Sequence, residues 1–494
     1  MQVLRSTGIE AGKLGLLDHT ALALIVGLQT QEPEFQGLRT MIERVGWLYS
    51  FKAVRELCER PYWSRLWVLQ EYALATEIRI QCGDCFMDSE QYNAGFLFLQ
   101  CLQRYLLETI VGEAELSIPM QTGVDCNVDT DGYGHPLGRF DHMINNGIVG
   151  GAGDLVGARR LYDSWQEKSD MTAQNRLCIL LERTLSRSEA SRGMSVRNPQ
   201  DRIFGLLGLV GKGVELGFAV DYRMSDEEIF IDATRWMISS GQVSLLSYAQ
   251  VQATMPSWSP DWRLRLRDPN MTKGLFKPSG SHSVRATPIS DDTIQFRGLR
   301  LDTVTWRGGC WQAANYDRMD PDFSWEEGGR FLMEVEGMMA TEQHVPSMLP
   351  ELSRERWAEG TWRIPIADQY TNGTGIKMRA IPAAKAGWEA VKLGTAGQKH
   401  QRYRTSDVNF YLIALGRLHG RRLARTSQGL VGLMPADVEI GDIVAIIVGA
   451  ESPMLPRPGS EGGAYKIVGE CYVYGIMDGE MIGTDTVFTH IGVC

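Results

Sequence analysis

Arg60-Pro61-Tyr62-Trp63-Ser64-Arg65-Leu66-Trp67-Val68-Leu69-Gln70-Glu71 decides how the chain is read. Pro61 suits the first turn of a helix, where its missing N–H costs little, so a helix is expected over 62–76. Its 3.6-residue period stacks Trp63, Trp67, Glu71 and Leu74 on one stripe. A carboxylate then occupies a position where a core residue is expected. A structural role would have Glu71 buried and neutralised by Arg60 or Arg65, because buried carboxylates are normally paired. Trp63 and Trp67 are expected in the core, since indoles bury large areas.

The same stretch resembles the "W-x-R-x-W-x-x-Q-E" motif of the fungal heterokaryon-incompatibility (HET) domain. Ser64, Trp67 and Glu71 also fall on the S-x-x-W-x-x-x-E pattern of NAD-cleaving TIR domains. Asn198-Pro199-Gln200-Asp201-Arg202-Ile203-Phe204-Gly205-Leu206-Leu207-Gly208-Leu209 is similar to the HET "DPRDKIYALLGL" helix. Pro256-Ser257-Trp258-Ser259-Pro260-Asp261-Trp262 is similar to the "LPSWAPDW" element. Gly441-Asp442-Ile443-Val444, with Gly469-Glu470-Cys471-Tyr472-Val473-Tyr474-Gly475-Ile476-Met477-Asp478-Gly479-Glu480, resembles the ending "GD-x-V … GE-x-Y-V-x-G-x-M-x-GE". Four matches in order are jointly specific where each alone is weak.

The resemblance implies a candidate site with Glu71 as catalytic residue and Ser64 and Trp67 supporting it. NAD would be the substrate: the glutamate holds the ribose hydroxyls and stabilises an oxocarbenium-like state as nicotinamide leaves, the logic glycosidases use. The family's "LSY-x-WG" and "L-W-I-D-x-L-C-I-x-Q" strands are not found before Arg60. An N-terminally truncated HET region is therefore expected, keeping the glutamate and one wall of the pocket. Catalysis needs its groups held within about half an ångström, so the expectation leans to a protein that is not an enzyme.

The length of 494 residues exceeds one ordinary core. A formal charge of −10 argues against binding nucleic acid, which requires Lys and Arg to neutralise phosphates. No stretch approaches the roughly 20 apolar residues of a membrane span. The best apolar run, Ala21 to Leu28, reads as a buried helix, with no signal peptide and a cytoplasmic location expected. Nine cysteines, an odd number, suit reduced thiols. Cys82-Gly83-Asp84-Cys85 lacks the second pair of a zinc site and reads as a turn after a strand over 77–82. His135 and His142 have no partner serine or cysteine at a recognisable spacing, and no nucleophile elbow is present. No cofactor or metal is expected.

The organisation expected is α+β. An incomplete TIR-like α/β HET region, mainly helical here, covers 1–215, with helices at 40–59, 62–76, 89–109, 154–166, 173–188 and 199–210. The last carries Asn198 as N-cap and Pro199 at N1. A Gly-rich surface insertion interrupts it at 112–157. Within that insertion, Gly150-Gly151-Ala152-Gly153-Asp154-Leu155-Val156-Gly157 lacks the preceding strand of a phosphate loop and reads as a flexible loop leading into the helix at 154–166. A linker helix region follows at 216–255, where Ser225 and Glu228 form a capping box and the helix face carries Ile229, Ala233, Trp236 and Met237. A β-rich domain occupies 256–494, with strands at Thr293 to Phe296, Ile443 to Val448 and Tyr465 to Tyr474. Trp258 and Trp262 are expected in its core, with Asp261 as a turn or cap residue.

The functional expectation is a HET-family protein of fungal non-self recognition and programmed cell death, acting through a protein partner or self-association. Its alternatives are an NAD nucleosidase using Glu71, and an accessory protein of a fungal secondary-metabolite cluster whose β-rich domain binds a small-molecule ligand.

Overall fold

The computed structural model describes residues 1–15, 36–45, 51–58, 60–115, 150–167, 171–185, 194–211, 213–249, 254–264, 266, 269, 271, 274–282, 285–312, 325–342, 344–371, 377–394, 406–459 and 463–494. Expectations for Ala21 to Leu28, for His135 and His142, and for most of the 112–157 insertion lie outside these residues.

The N-terminal region is helical: α1 (Gln2–Lys13), α2 (Gln36–Val45), α3 (Phe51–Cys58), α4 (Leu66–Leu74), α5 (Ser89–Glu115), α6 (Gly150–Glu167), α7 (Ala173–Leu185), α8 (Asp201–Val210) and α9 (Asp226–Ser239). Between α4 and α5 stands the hairpin β1 (Arg79–Cys82) and β2 (Cys85–Asp88), in register from Arg79 opposite Asp88 to Cys82 opposite Cys85. Gly83 supplies the positive φ of 60° that its two-residue turn requires. The α9 capping box is present in full: Glu228 N–H donates to Ser225 Oγ at 3.2 Å, and Ser225 N–H donates to Glu228 Oε2 at 2.8 Å. Ile229, Ala233 and Met237 are buried as expected, and Trp236 is half-buried.

Three local expectations are corrected. Residues 61–64 form turns, so α4 begins at Leu66. The cause is distant in sequence: Ser195 N–H donates to Ser64 O at 2.5 Å and Leu66 N–H donates to Ser195 O at 3.0 Å, holding the entry to α4 extended. Gln200, not Asn198, precedes α8, because Asn198 Oδ1 accepts Gln200 N–H at 3.3 Å in a preceding turn. Gly150 to Gly153 is helical rather than a loop, so that the helix expected from 154 begins at Gly150. Leu155, Val156 and Ala158 bury one side of α6, and a Cβ at Gly157 would stand 2.8 Å from Arg183 Nη1, so tertiary packing overrides the weak helix propensity of glycine.

The C-terminal region is β-rich and interleaved with helices. Its strands are β3 (Thr287–Pro288), β4 (Ile294–Cys310), β5 (Gln369–Thr371), β6 (Lys377–Arg379), β7 (Arg421–Thr426), β8 (Val431–Pro435), β9 (Ile443–Ile447), β10 (Met454–Pro458), β11 (Ala464–Glu470), β12 (Tyr472–Val473) and β13 (Thr489–Val493). The helices are α10 (Trp325–Thr341), α11 (Arg354–Ala358), α12 (Gly360–Arg363), α13 (Ala383–Gly394) and α14 (Ser406–Gly416). The first part of β4 pairs with β13 and β9. Because β13 continues through β11 and β10 to β9, these five strands close into a ring. Beyond Val304, β4 leaves the ring and pairs with β7, which leads to β8 and β12.

Side-chain alternation divides the sheet between two cores. Ala445, Ile447, Met454 and Ile467 join a core shared with the N-terminal helices and α9, whereas Val444, Leu455 and Val468 join one shared with α10 to α14. Strands buried on both faces explain the unbroken apolar run Ile443 to Val448. The Pro256 to Trp262 loop lies where the first core meets the sheet. Trp258 and Trp262 are fully buried, and Ser257 Oγ donates to Cys494 O at 2.5 Å while accepting Ile467 N–H at 2.9 Å. Asp261 is a turn residue, accepting Arg263 N–H at 3.0 Å. Among the described residues no helix is long and apolar enough to cross a membrane.

Asp302 sits at the bulge where β4 changes partners. Burial alone would raise its pKa, but donors from Ser427, Gln428 N–H and Thr303 N–H reverse this and leave it lowered. A depressed folded-state pKa contributes stability that is present above the unfolded value of about 3.9 and lost as pH falls through the folded value. Asp302→Asn is therefore expected to flatten the acid limb of the stability–pH curve below about pH 4. Urea midpoints measured from pH 2 to 7 check this; an unchanged slope would remove Asp302 from the account.

Candidate functional site

The buried side of α4 is set by Leu66, Leu69 and Ala73 at i, i+3 and i+7, with Val68 and Tyr72 beside them. It follows that Trp67, Glu71 and Leu74 lie on the opposite face, and all three are exposed. The expectation that this stripe enters the core is corrected for Trp67, Glu71 and Leu74 and holds for Trp63. The register error has one cause: Trp63 belongs to the turn before α4 and is not in phase with Trp67.

Behind the exposed face, Trp63 stacks on Tyr92 with ring centroids 5.6 Å apart, Tyr92 packs on Phe96, and Tyr72 Oη donates to Asn93 Oδ1 at 2.9 Å. Two neighbours fix the helix. Arg159 of α6 donates to the terminal carbonyls Tyr72 O and Ala75 O at 3.0 and 2.8 Å, satisfying acceptors that no longer helix supplies. From α8, Gly205 and Gly208 let the helices approach: a Cβ at Gly205 would stand 3.2 Å from Leu66, and one at Gly208 2.5 Å from Gln70. Gln70 Nε2 donates to Gly205 O at 2.6 Å. The polar residues of the Asn198 to Leu209 motif hold the other flank of α8, where Asp201 accepts the Tyr222 hydroxyl at 2.7 Å and Gln200 Nε2 donates to Met224 O at 2.6 Å.

The three candidate residues are not alike. Ser64 Oγ is used locally, donating to Pro61 O at 3.1 Å. Trp67 is 38% exposed. Glu71 is exposed, and among the described residues no hydrogen bond or ion pair reaches its carboxylate, so the expected neutralisation by Arg60 or Arg65 is not formed. What does stand beside it is Tyr62, which is 49% exposed. Burial raises the Tyr62 pKa, the charge of Glu71 raises it further, and Arg65 works against both. Tyr62 carried no sequence signal, because the turn at 61–64 breaks any periodic relation to residue 71. Tyr62, Trp67 and Leu74 are thus large exposed side chains of this segment, and Arg65 and Glu71 are exposed on it as well.

The other motif carboxylates are enclosed. Asp442 accepts Arg457 Nε at 2.7 Å and Glu439 N–H at 2.8 Å, and Glu470 accepts Arg421 Nη2 at 2.9 Å. Cys82 and Cys85 are half-buried free thiols, and no cluster of three or more His, Cys, Asp or Glu able to hold a metal ion occurs among the described residues.

Comparison with known proteins agrees with the four motifs. Residues 383–487, from α13 to beyond β12, match the Het-6 beta-barrel domain family. The chain is also similar to heterokaryon incompatibility protein 6, OR allele, of Neurospora crassa, at 24% identity over 486 residues that cover 86% of this chain and 65% of the relative. It thus spans just under two thirds of that relative's length. No solved structure matches. These similarities support membership of the heterokaryon-incompatibility family.

Proposed function

We propose that this chain, as a relative of heterokaryon-incompatibility proteins, serves fungal non-self recognition in the cytoplasm through protein contacts made by the α4 face, and triggers cell death without cleaving NAD itself. The observation that carries this reading is the open setting of Glu71. An NAD nucleosidase must orient the ribose and exclude water, and orientation alone is worth about 7 to 11 kcal/mol of barrier. Glu71 is exposed on the same face of α4 as Trp67, and among the described residues no donor fixes its carboxylate. Large exposed aromatics next to unpaired charges are features of contact surfaces.

The test is nicotinamide release from NAD by the full chain beside Glu71→Ala. Since Glu71 is exposed, the variant should melt within about 0.5 kcal/mol of the parent, so any loss of activity is read without a folding defect. The expected result is the same baseline rate for both. Robust release that vanishes in Glu71→Ala would replace the recognition reading by the enzymatic one.

A further inference from the structure

We propose that Cys82 and Cys85 form a reversible dithiol–disulfide site, oxidised by a hydroperoxide and restored by a thiol reductant. It stands apart from the α4 face and adds a covalent modification to the hairpin that follows it.

The register of the hairpin carries the inference. Cys82 and Cys85 are directly opposite each other across the Gly83-Asp84 turn. Opposed residues of an antiparallel pair have Cα atoms about 4.5 or 5.5 Å apart, according to their hydrogen bonding, and both values lie within the roughly 4.4–6.8 Å that a disulfide spans. Such residues also project from the same face. Burial identifies that face. Ile80 and its partner Met87, two residues further in, are buried, whereas Arg79, Gln81, Phe86 and Asp88 of the other face are exposed. The two thiols therefore form the outer end of a face whose inner end is anchored in the core. Both are half-buried, so they stand together at the edge of the core with access to solvent. Closure of the ring has room. A Cβ added at Gly83 would meet nothing within 4 Å, so the turn can shift as the sulfurs approach.

Among the described cysteines no other has this setting. Cys58, Cys101, Cys178 and Cys471 are buried, Cys310 has Arg422 of β7 opposite it, and Cys494 Sγ donates to Tyr465 O at 3.6 Å.

The chemistry balances with a hydroperoxide as the only co-reactant. One cysteine, as its thiolate, attacks a peroxide oxygen; the O–O bond breaks, the departing oxygen takes up a proton, and the cysteine becomes a sulfenic acid. The thiolate of the other cysteine then attacks that sulfur. The S–S bond forms, the S–O bond breaks and water leaves. The two sulfurs give up two electrons between them, and hydrogen peroxide is reduced to two waters. A thiol reductant reverses the bond by exchange.

The full chain, reduced and then exposed to hydrogen peroxide, is blocked with iodoacetamide and cleaved with trypsin and chymotrypsin. Cleavage after Arg79 and Phe86 releases both cysteines in the peptide Ile80 to Phe86, apart from Cys101. The expected product is this peptide unalkylated and lighter by two hydrogens, and dithiothreitol restores its two alkylation sites. Because the second thiol is already held beside the first, the pair should be lost at least about tenfold faster than the thiols of Cys310 or Cys494. Cys82→Ser and Cys85→Ser remove the resolving partner, so dimedone should trap a sulfenic acid on the remaining cysteine of each and little on the parent. Both positions are half-buried at a hairpin tip, and unchanged circular dichroism confirms that the variants fold. Loss no faster than at Cys310 and Cys494, a link from either cysteine to Cys101 or to a second chain in place of the ring, or dimedone labelling of the parent equal to that of the variants would each overturn the proposal.

Discussion

Asp368→Ala is expected to lower the unfolding free energy by about 3 to 5 kcal/mol, the cost of removing one partner from a buried ion network. Asp368 has no exposed surface. Its carboxylate accepts Arg363 Nη1 at 2.5 Å, and Arg379 Nε and Nη2 at 2.9 and 2.5 Å. Burial alone would lower the pKa of both arginines, and the Asp368 charge and the hydrogen bonds to Asp368 and to Glu359 or Asp478 together outweigh it and leave both raised. Without that carboxylate, Arg363 keeps Glu359 and Arg379 keeps Asp478, both on the solvent side. The buried guanidinium of Arg363, with a side chain 5% exposed, then loses its inner counter-charge.

The backbone adds a second penalty. Asp368 has φ 52° and follows Ala367 at φ 48°, two consecutive non-glycine residues in the left-handed region. Asp and Asn tolerate that region; for alanine it costs roughly 1–2 kcal/mol. Asp368→Asn should therefore be the milder variant, by about 1 kcal/mol, while still losing most of the network. Urea unfolding followed by tryptophan fluorescence measures both. A loss under about 1 kcal/mol for Asp368→Asn would mean that the arginines relax outward and that the network carries little stability.

Local chemistry is what the sequence made legible. The Ser225–Glu228 capping box needs only four consecutive residues and was readable to the atom. The burial of Trp258 and Trp262 and the Gly83-Asp84 turn were readable for the same reason. Where a partner more than a hundred residues away decides the outcome, periodicity failed. Ser195 holds Ser64 to Leu66 extended, shifts the start of α4, and turns Trp67 and Glu71 outward. Alternation identified only Thr293 to Phe296 of the 17-residue β4, because register shifts after Arg300 and Val304 break the period of two. The Asp368 network joins residues from α12 to β6 without any short motif, and nothing at the level of spacing announces it.

Glu470 of the C-terminal motif is expected to be an architectural residue, and its variants should show a coupling that a surface carboxylate lacks. Arg421, at the start of β7, directs Nη2 to Glu470 Oε1 at 2.9 Å and Nη1 to the Glu470 carbonyl. Met271 N–H at 3.3 Å and Ser452 Oγ at 3.4 Å also reach the carboxylate, whose residue is 2% exposed. Glu470→Ala takes from the buried Arg421 the carboxylate it pairs with and is expected to cost about 3 to 5 kcal/mol. Arg421→Ala removes the guanidinium that pairs with the buried carboxylate and should cost a similar amount. With both removed, neither charge of the pair is left facing the gap of the other. The double variant should then be more stable than the sum of the two losses predicts, by about 0.5–3 kcal/mol. Strict additivity in denaturant titrations would show that the two side chains contribute through packing alone. Positive coupling would show that the pair matters because each charge makes the other tolerable where β7 meets the end of β11, within the residues that match the Het-6 beta-barrel domain family.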